Sequence, residues 1–154
     1  MNSDAATRLP VRAVIEAIAA ACGLEEAKMP SDAPGLVLES AEGLVTLIRP
    51  HPIDDTKVTV EIESADASAV AQGTIDESVA RRALEAMLDL GASLEECSDW
   101  ALGLDDDDRF VLSAAFGITA FRDTEHALAM IEDGQARAHS LAAAWEGLLR
   151  RQAD

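Results

Sequence analysis

The stretch Lys57-Val58-Thr59-Val60-Glu61-Ile62-Glu63 places an apolar side chain at every second position. Successive side chains of a strand point to opposite faces, so Val58, Val60 and Ile62 share one side and Thr59, Glu61 and Glu63 the other. A strand covered by helices on both faces reads apolar throughout. This alternation therefore predicts an antiparallel sheet with one face on a core and one in water.

Upstream of it, Pro50, His51 and Pro52 mark a polar loop, and two more strand-like runs precede that loop, Leu36 to Glu39 and Leu44 to Ile48. In the second of these, Leu44, Val45, Leu47 and Ile48 put apolar groups on both faces. One face packs on the core. The other needs cover, either from a helix of the same chain or from a partner segment that adds to the sheet edge. Pro30, Pro34 and Gly35 belong to a connection. Before it, Val11, Val14, Ile15, Ile18 and Cys22 recur at helical spacing, with Pro10 in the first turn and Gly23 suited to a left-handed cap. Residues 1–7 read as a frayed end.

Downstream, residues 65–74 are small and polar and read as a loop. Asp76 suits an N-cap, Val79, Ala83, Leu84, Met87 and Leu88 form an apolar helix face, and Gly91 is expected to end that helix. Trp100, Leu102 and Leu104 alternate, Asp105 to Asp108 turn the chain, and Phe110, Leu112, Ala114 and Phe116 alternate again, which predicts a hairpin. A last helix, capped by Asp123 or Thr124, runs to about Arg151. Leu128, Ile131, Ala138, Leu141, Trp145 and Leu149 line one side, and Gly134 marks a weak point or kink. The expected order is α-β-β-β-α-β-β-α: an α+β fold, one domain over residues 1–154, with a twisted five-stranded antiparallel sheet and three helices.

Charge narrows the function classes. Asp and Glu number 29 against 12 Lys and Arg, a net charge of −17. Phosphate backbones and anionic membrane surfaces are repelled, so neither nucleic acid nor membrane is an expected partner. The acidity either steers a basic partner or simply keeps the protein soluble. Apolar residues make up 49% and aromatic ones 3%, so the core is mainly aliphatic. Cys22 and Cys97 are too few and too distant for a disulfide framework, and read as reduced thiols. Met1 to Thr7 lacks the charged and apolar regions of a secretion signal, which suggests a cytoplasmic protein.

No local pattern announces catalysis. Asp105 to Asp108 lack the alternation, glycine and distal Glu of a calcium loop, and read as a solvated turn. His51, His126 and His139 are far apart, with no further ligand at metal-binding spacing. Cys97 sits between Glu96 and Ser98, where negative charge disfavours a thiolate. Ser113 follows no nucleophile-elbow pattern, and no glycine-rich phosphate loop is present. The expectation is a protein-binding domain that is not an enzyme and needs no cofactor or metal.

The element order, the helix end Cys22-Gly23-Leu24, the run Lys57 to Ile62, the stretch Val79-Ala80-Arg81-Arg82-Ala83-Leu84-Glu85-Ala86-Met87-Leu88 and the hairpin from Trp100 to Ser113 together resemble the class I chaperones of bacterial type III secretion systems, over Leu9 to Arg151. The resemblance implies a cytoplasmic homodimer without ATPase activity. Such a protein holds the N-terminal segment of a secreted effector in an extended, secretion-ready form. It implies a dimer interface on the second long helix and fourth strand, at Leu84, Met87, Leu88, Trp100 and Leu102, and an effector surface on the first helix and sheet, at Val11, Ile15, Leu36, Leu38, Val45 and Leu47. The long 65–74 segment and Gly134 depart from the pattern. The same architecture also serves bacterial regulators that bind a folded partner, which is the alternative.

Overall fold

The computed structural model describes residues 13–21, 35–39, 44–54, 56–121 and 123–153. The expected frayed end at 1–7, Val11 and the Cys22-Gly23 helix end lie outside them. Residues 13–21 form helix α1. Then come β1 (Leu36–Glu39), β2 (Val45–Pro50), β3 (Lys57–Asp66), a short helix α2 (Ser68–Ala71), α3 (Glu77–Cys97), β4 (Ala101–Leu104), β5 (Arg109–Gly117), a 3-10 turn (Ile118–Phe121) and α4 (Thr124–Ala153). The strands form one antiparallel sheet in the order β1-β2-β3-β5-β4.

The α+β fold matches the reading of the sequence, with three differences. The 65–74 segment is not a loop throughout. β3 runs on to Asp66, and the Asp66 carboxylate accepts the Ser68 N–H at 2.8 Å, starting α2. Gln72 to Thr74 then turn the chain, their N–H groups donating to the carbonyls of Ser68, Val70 and Ala69, with Gly73 in the left-handed region at φ 69°. Second, Gly91 does not end α3. The helix continues to Cys97 because Leu94 is still buried, and it stops where the Ser98 hydroxyl turns back onto the Leu94 carbonyl at 2.7 Å. Third, α4 is one continuous helix through Gly134.

Cα proximity divides the chain into two compact units, Met1–Glu61 with Ala114–Asp133, and Ile62–Ser113 with Gly134–Asp154. In the first, Ile15, Ile18, Thr46, Ile48, Val58 and Val60 are fully or almost fully buried. The β1–β2 register sets Leu36 opposite Ile48 and Leu38 opposite Thr46. Directly paired residues point to the same face, so these four lie on the core side, and Val37, Glu39, Val45 and Leu47 lie on the other. Tight turns close the adjacent loop: His51 Nδ1 accepts the N–H groups of Ile53 and Asp54, and Asp54 accepts Thr56 through both its N–H and its hydroxyl.

The second unit is packed around aromatic groups. Phe110 and Trp145 meet edge to face with centroids 5.1 Å apart. Trp100 is buried against α4 at Gly134, where a Cβ would lie 2.5 Å from the ring carbon Cη2 and 2.6 Å from Ile62 Cδ1. Gly134 is thus the seat of the indole rather than a kink. Gly91 has the same kind of role against β4: a Cβ there would come within 3.3 Å of Leu102. The buried Ser64 hydroxyl donates to the Ala138 carbonyl at 2.6 Å, tying β3 to α4.

Candidate functional site

The side of β1, β2 and β3 that faces away from the core carries an apolar patch. Val37 is 62% exposed, and its register partner Leu47 and the neighbouring Val45 are half-buried. The patch ends at an ion pair: Arg49 on β2 reaches Glu61 on β3 at 2.6 Å. Thr59 lies on the same side of β3, with its hydroxyl enclosed and without a hydrogen-bond partner. β1 stands at one end of the sheet order, so the patch sits at an edge. A strand edge offers main-chain hydrogen bonds, and alternate side chains of a segment added to β1 would fall beside Val37.

Of the residues that the family resemblance assigned to effector binding, Val45 and Leu47 belong to this patch. Val11 lies outside the described residues. Ile15 and Leu36 are buried by the chain itself and serve the core, because the register turns Leu36 inward with Ile48. Leu38 faces the same way, half-buried. Val37, which the sequence reading passed over, is the exposed member. Three successive apolar residues, Leu36, Val37 and Leu38, leave the facing of β1 undetermined until its pairing is known.

The residues assigned to a dimer interface also separate. Met87 and Trp100 are core. Leu102 is half-buried against Gly91, Leu84 is half-buried, and Leu88 is 72% exposed. Leu104 of β4, 54% exposed, joins Leu102 on the strand at the other end of the sheet order. A groove of about 740 Å³ runs beside Leu84 and Leu88 between α3 and the turn before it.

Asp105 to Asp108 form the β4–β5 turn. The Asp105 carboxylate accepts the N–H groups of Asp107 and Arg109, and Asp108 adopts φ 58°. His126 and His139 are exposed on α4, and Cys97 is exposed at the end of α3. Among the described residues no group of three or more His, Cys, Asp or Glu side chains could hold a metal ion, and no helix is long and apolar enough to cross a membrane.

Comparison with solved structures places this fold. The chain is similar to a chain of the ExsC–ExsE complex, with a TM-score of 0.65 at 12% identity over 93% of this chain and 96% of that one. It is similar to a chain of the complex of the Yersinia pestis type III secretion chaperone SycH with a stable fragment of YscM2, with a TM-score of 0.57 at 14% identity over 85% and 98%. It also resembles a chain of the heterodimeric ExoU–SpcU complex from the type III secretion system of Pseudomonas aeruginosa, with a TM-score of 0.52 at 18% identity over 82% and 93%. The chain therefore has a type III secretion chaperone-like fold. No protein-family model matches it, and no curated protein matches it by sequence.

Proposed function

We propose that this protein is a type III secretion chaperone, working without enzymatic activity in the cytoplasm as a homodimer. It holds the N-terminal segment of a secreted client in extended form. The observation that carries this reading is the exposed Val37 beside Leu47 and Val45 at the β1 edge, on a fold similar to three chains that were each solved in complex with another protein. An extended client segment would add main-chain hydrogen bonds at β1 and bury the patch, each residue of Val or Leu size contributing roughly 1.5–3 kcal/mol when fully covered. The β4 edge, with Leu102 and Leu104, is the surface for the second copy.

The test is co-purification from the cells that make the protein, followed by light scattering. The expected result is one dominant client, captured through its N-terminal segment, on a dimer of the 16.3 kDa chain. Val37→Asp should abolish capture with little change in melting temperature, since Val37 is 62% exposed on the side away from the core. A mass of one chain with no client overturns the proposal. A client bound only as a folded domain favours the regulator alternative.

A further inference from the structure

Resting on the client reading of the β1 edge, we infer that Glu39 selects the client: the segment added there carries a lysine or arginine two residues before the apolar residue that covers Val37. Glu39 is exposed at the end of β1. The register sets Val37 opposite Leu47 and Glu39 opposite Val45, so Val37 and Glu39 point together to the side away from the core. β1 stands at one end of the sheet order, and its flank away from β2 is the one an added strand meets. Directly opposed residues of such a pair share a face, with Cβ atoms about 4.5–5.5 Å apart. One residue of the segment therefore lies beside Val37, and the residue two places away lies beside Glu39. Antiparallel addition continues the pattern of the sheet and is the slightly more stable pairing. In that direction the residue beside Glu39 precedes the one beside Val37.

Apolar cover alone does not fix how a client sits. Leu36, Val37 and Leu38 are all apolar, and a slip of one residue exchanges the two faces of the added segment. A charge at one end of the row removes that freedom. In register a cation meets Glu39, an anion there is repelled, and a cation slipped by two residues would fall beside Val37 instead. Arg49 and Glu61, which also border the patch, are matched to each other at 2.6 Å. A second copy supplies no such cation through its own β1, because Leu36–Glu39 contains none and ends on the same carboxylate.

The experiment is selection from a display library of random peptides on the full chain, on Val37→Asp, on Glu39→Lys and on Glu95→Lys, the same charge change at the exposed far end of α3. Peptides selected by the unaltered chain and lost on Val37→Asp should be enriched in Lys or Arg two residues before a Val, Leu or Ile. On Glu39→Lys the enrichment at that position should turn to Asp or Glu, and on Glu95→Lys it should stay. One selected peptide, synthesised with a fluorescent label, should bind Glu39→Lys about threefold to fivefold more weakly in anisotropy, and exchange of its lysine for glutamate should restore binding. The preference of the unaltered chain should fade as salt rises from roughly 50 to 300 mM. Glu39→Lys should leave thermal unfolding unaltered, because the side chain is exposed. Val37-dependent peptides without a charge preference, or a preference that survives Glu39→Lys or is lost equally on Glu95→Lys, overturn the inference while the client patch stands. A cation two residues after the apolar residue means parallel addition and overturns the order given. Absence of any Val37-dependent peptide removes the client reading and the inference with it. Light scattering on Val37→Asp separates the last case: conversion of a dimer to a monomer means a second copy pairs at β1, and the inference fails.

Discussion

Replacing Gly134 with alanine should destabilise the protein, although the same change in most helix interiors does the opposite. Alanine is favoured over glycine in a helix by about 1 kcal/mol, because glycine has more backbone freedom to lose. At Gly134 the new methyl group would meet Trp100 and Ile62, with carbon separations of 2.5 and 2.6 Å to Cη2 and Cδ1. Ordinary contact is about 3.5–4.0 Å, so the overlap is about 1 Å. An isoleucine methyl can rotate away, but the indole is rigid and Trp100 is only 3% exposed, so ring or helix must shift. Overpacking costs about 1–3 kcal/mol, and an overlap of this size against a rigid, buried ring falls in the upper part of that range, about 2–3 kcal/mol. The steric cost exceeds the gain in propensity, and we expect a net loss of about 1–2 kcal/mol, or roughly 2–8 °C in melting temperature for a chain of this size. Gly147 on the same helix is the internal control. Its nearest neighbour to a new Cβ is the end of the flexible Arg151 side chain at 3.5 Å, so Gly147→Ala should stabilise by about 0.5–1 kcal/mol. Urea and thermal unfolding followed by circular dichroism, together with tryptophan fluorescence, measure both variants. A Gly134→Ala protein as stable as Gly147→Ala would refute the close seating of Trp100 on α4.

Three further changes test other parts of the structure. Ser64→Ala removes the buried hydroxyl that donates to the Ala138 carbonyl and should cost about 1 kcal/mol in urea unfolding. Thr59→Val exchanges an enclosed, unpaired hydroxyl for a methyl of similar size and should be neutral or stabilising by up to about 1 kcal/mol in the same assay. The Asp66 carboxyl is held below its ordinary value of 3.8 mainly by the Ser68 backbone N–H and then by the Ser68 hydroxyl, and Asp54 by the Thr56 hydroxyl and then its N–H. Because the folded value is the lower one, this stabilisation is present above pH 3.8 and is lost as pH falls through the folded value. Carboxyl-carbon NMR should find both groups titrating below 3.8, and Ser68→Ala and Thr56→Val should move Asp66 and Asp54 back upward.

The alternation of Val58, Val60 and Ile62 held in the folded protein because period-two spacing on one strand is a local property. All three are fully buried, and Thr59, Glu61 and Glu63 are not. The helical stripe of α4 is legible for the same reason: Ile131, Ala138, Leu141 and Trp145 are each buried. Glycine was harder to read. Gly91 and Gly134 look in sequence like a helix end and a kink, yet each is a place where another element packs closely, leaving no room for a Cβ at Gly134 and little at Gly91. The approaching atoms belong to Leu102, Trp100 and Ile62, distant in the chain, and no local pattern encodes them.

By itself the sequence determined the α+β class, the order of the elements, the acidity and which positions of the long helices are apolar. These follow from side-chain periodicity and composition, which act over a few residues. Only the tertiary structure decided which apolar residues are left for a partner. Leu36 and Val37 are neighbours of similar character, and the pairing of β1 with β2 turns one inward and the other out. Met87 and Leu88 likewise differ by one residue on α3, and packing buries the first while leaving the second 72% exposed. Burial depends on what lies across the gap, and that is a property of the assembled fold.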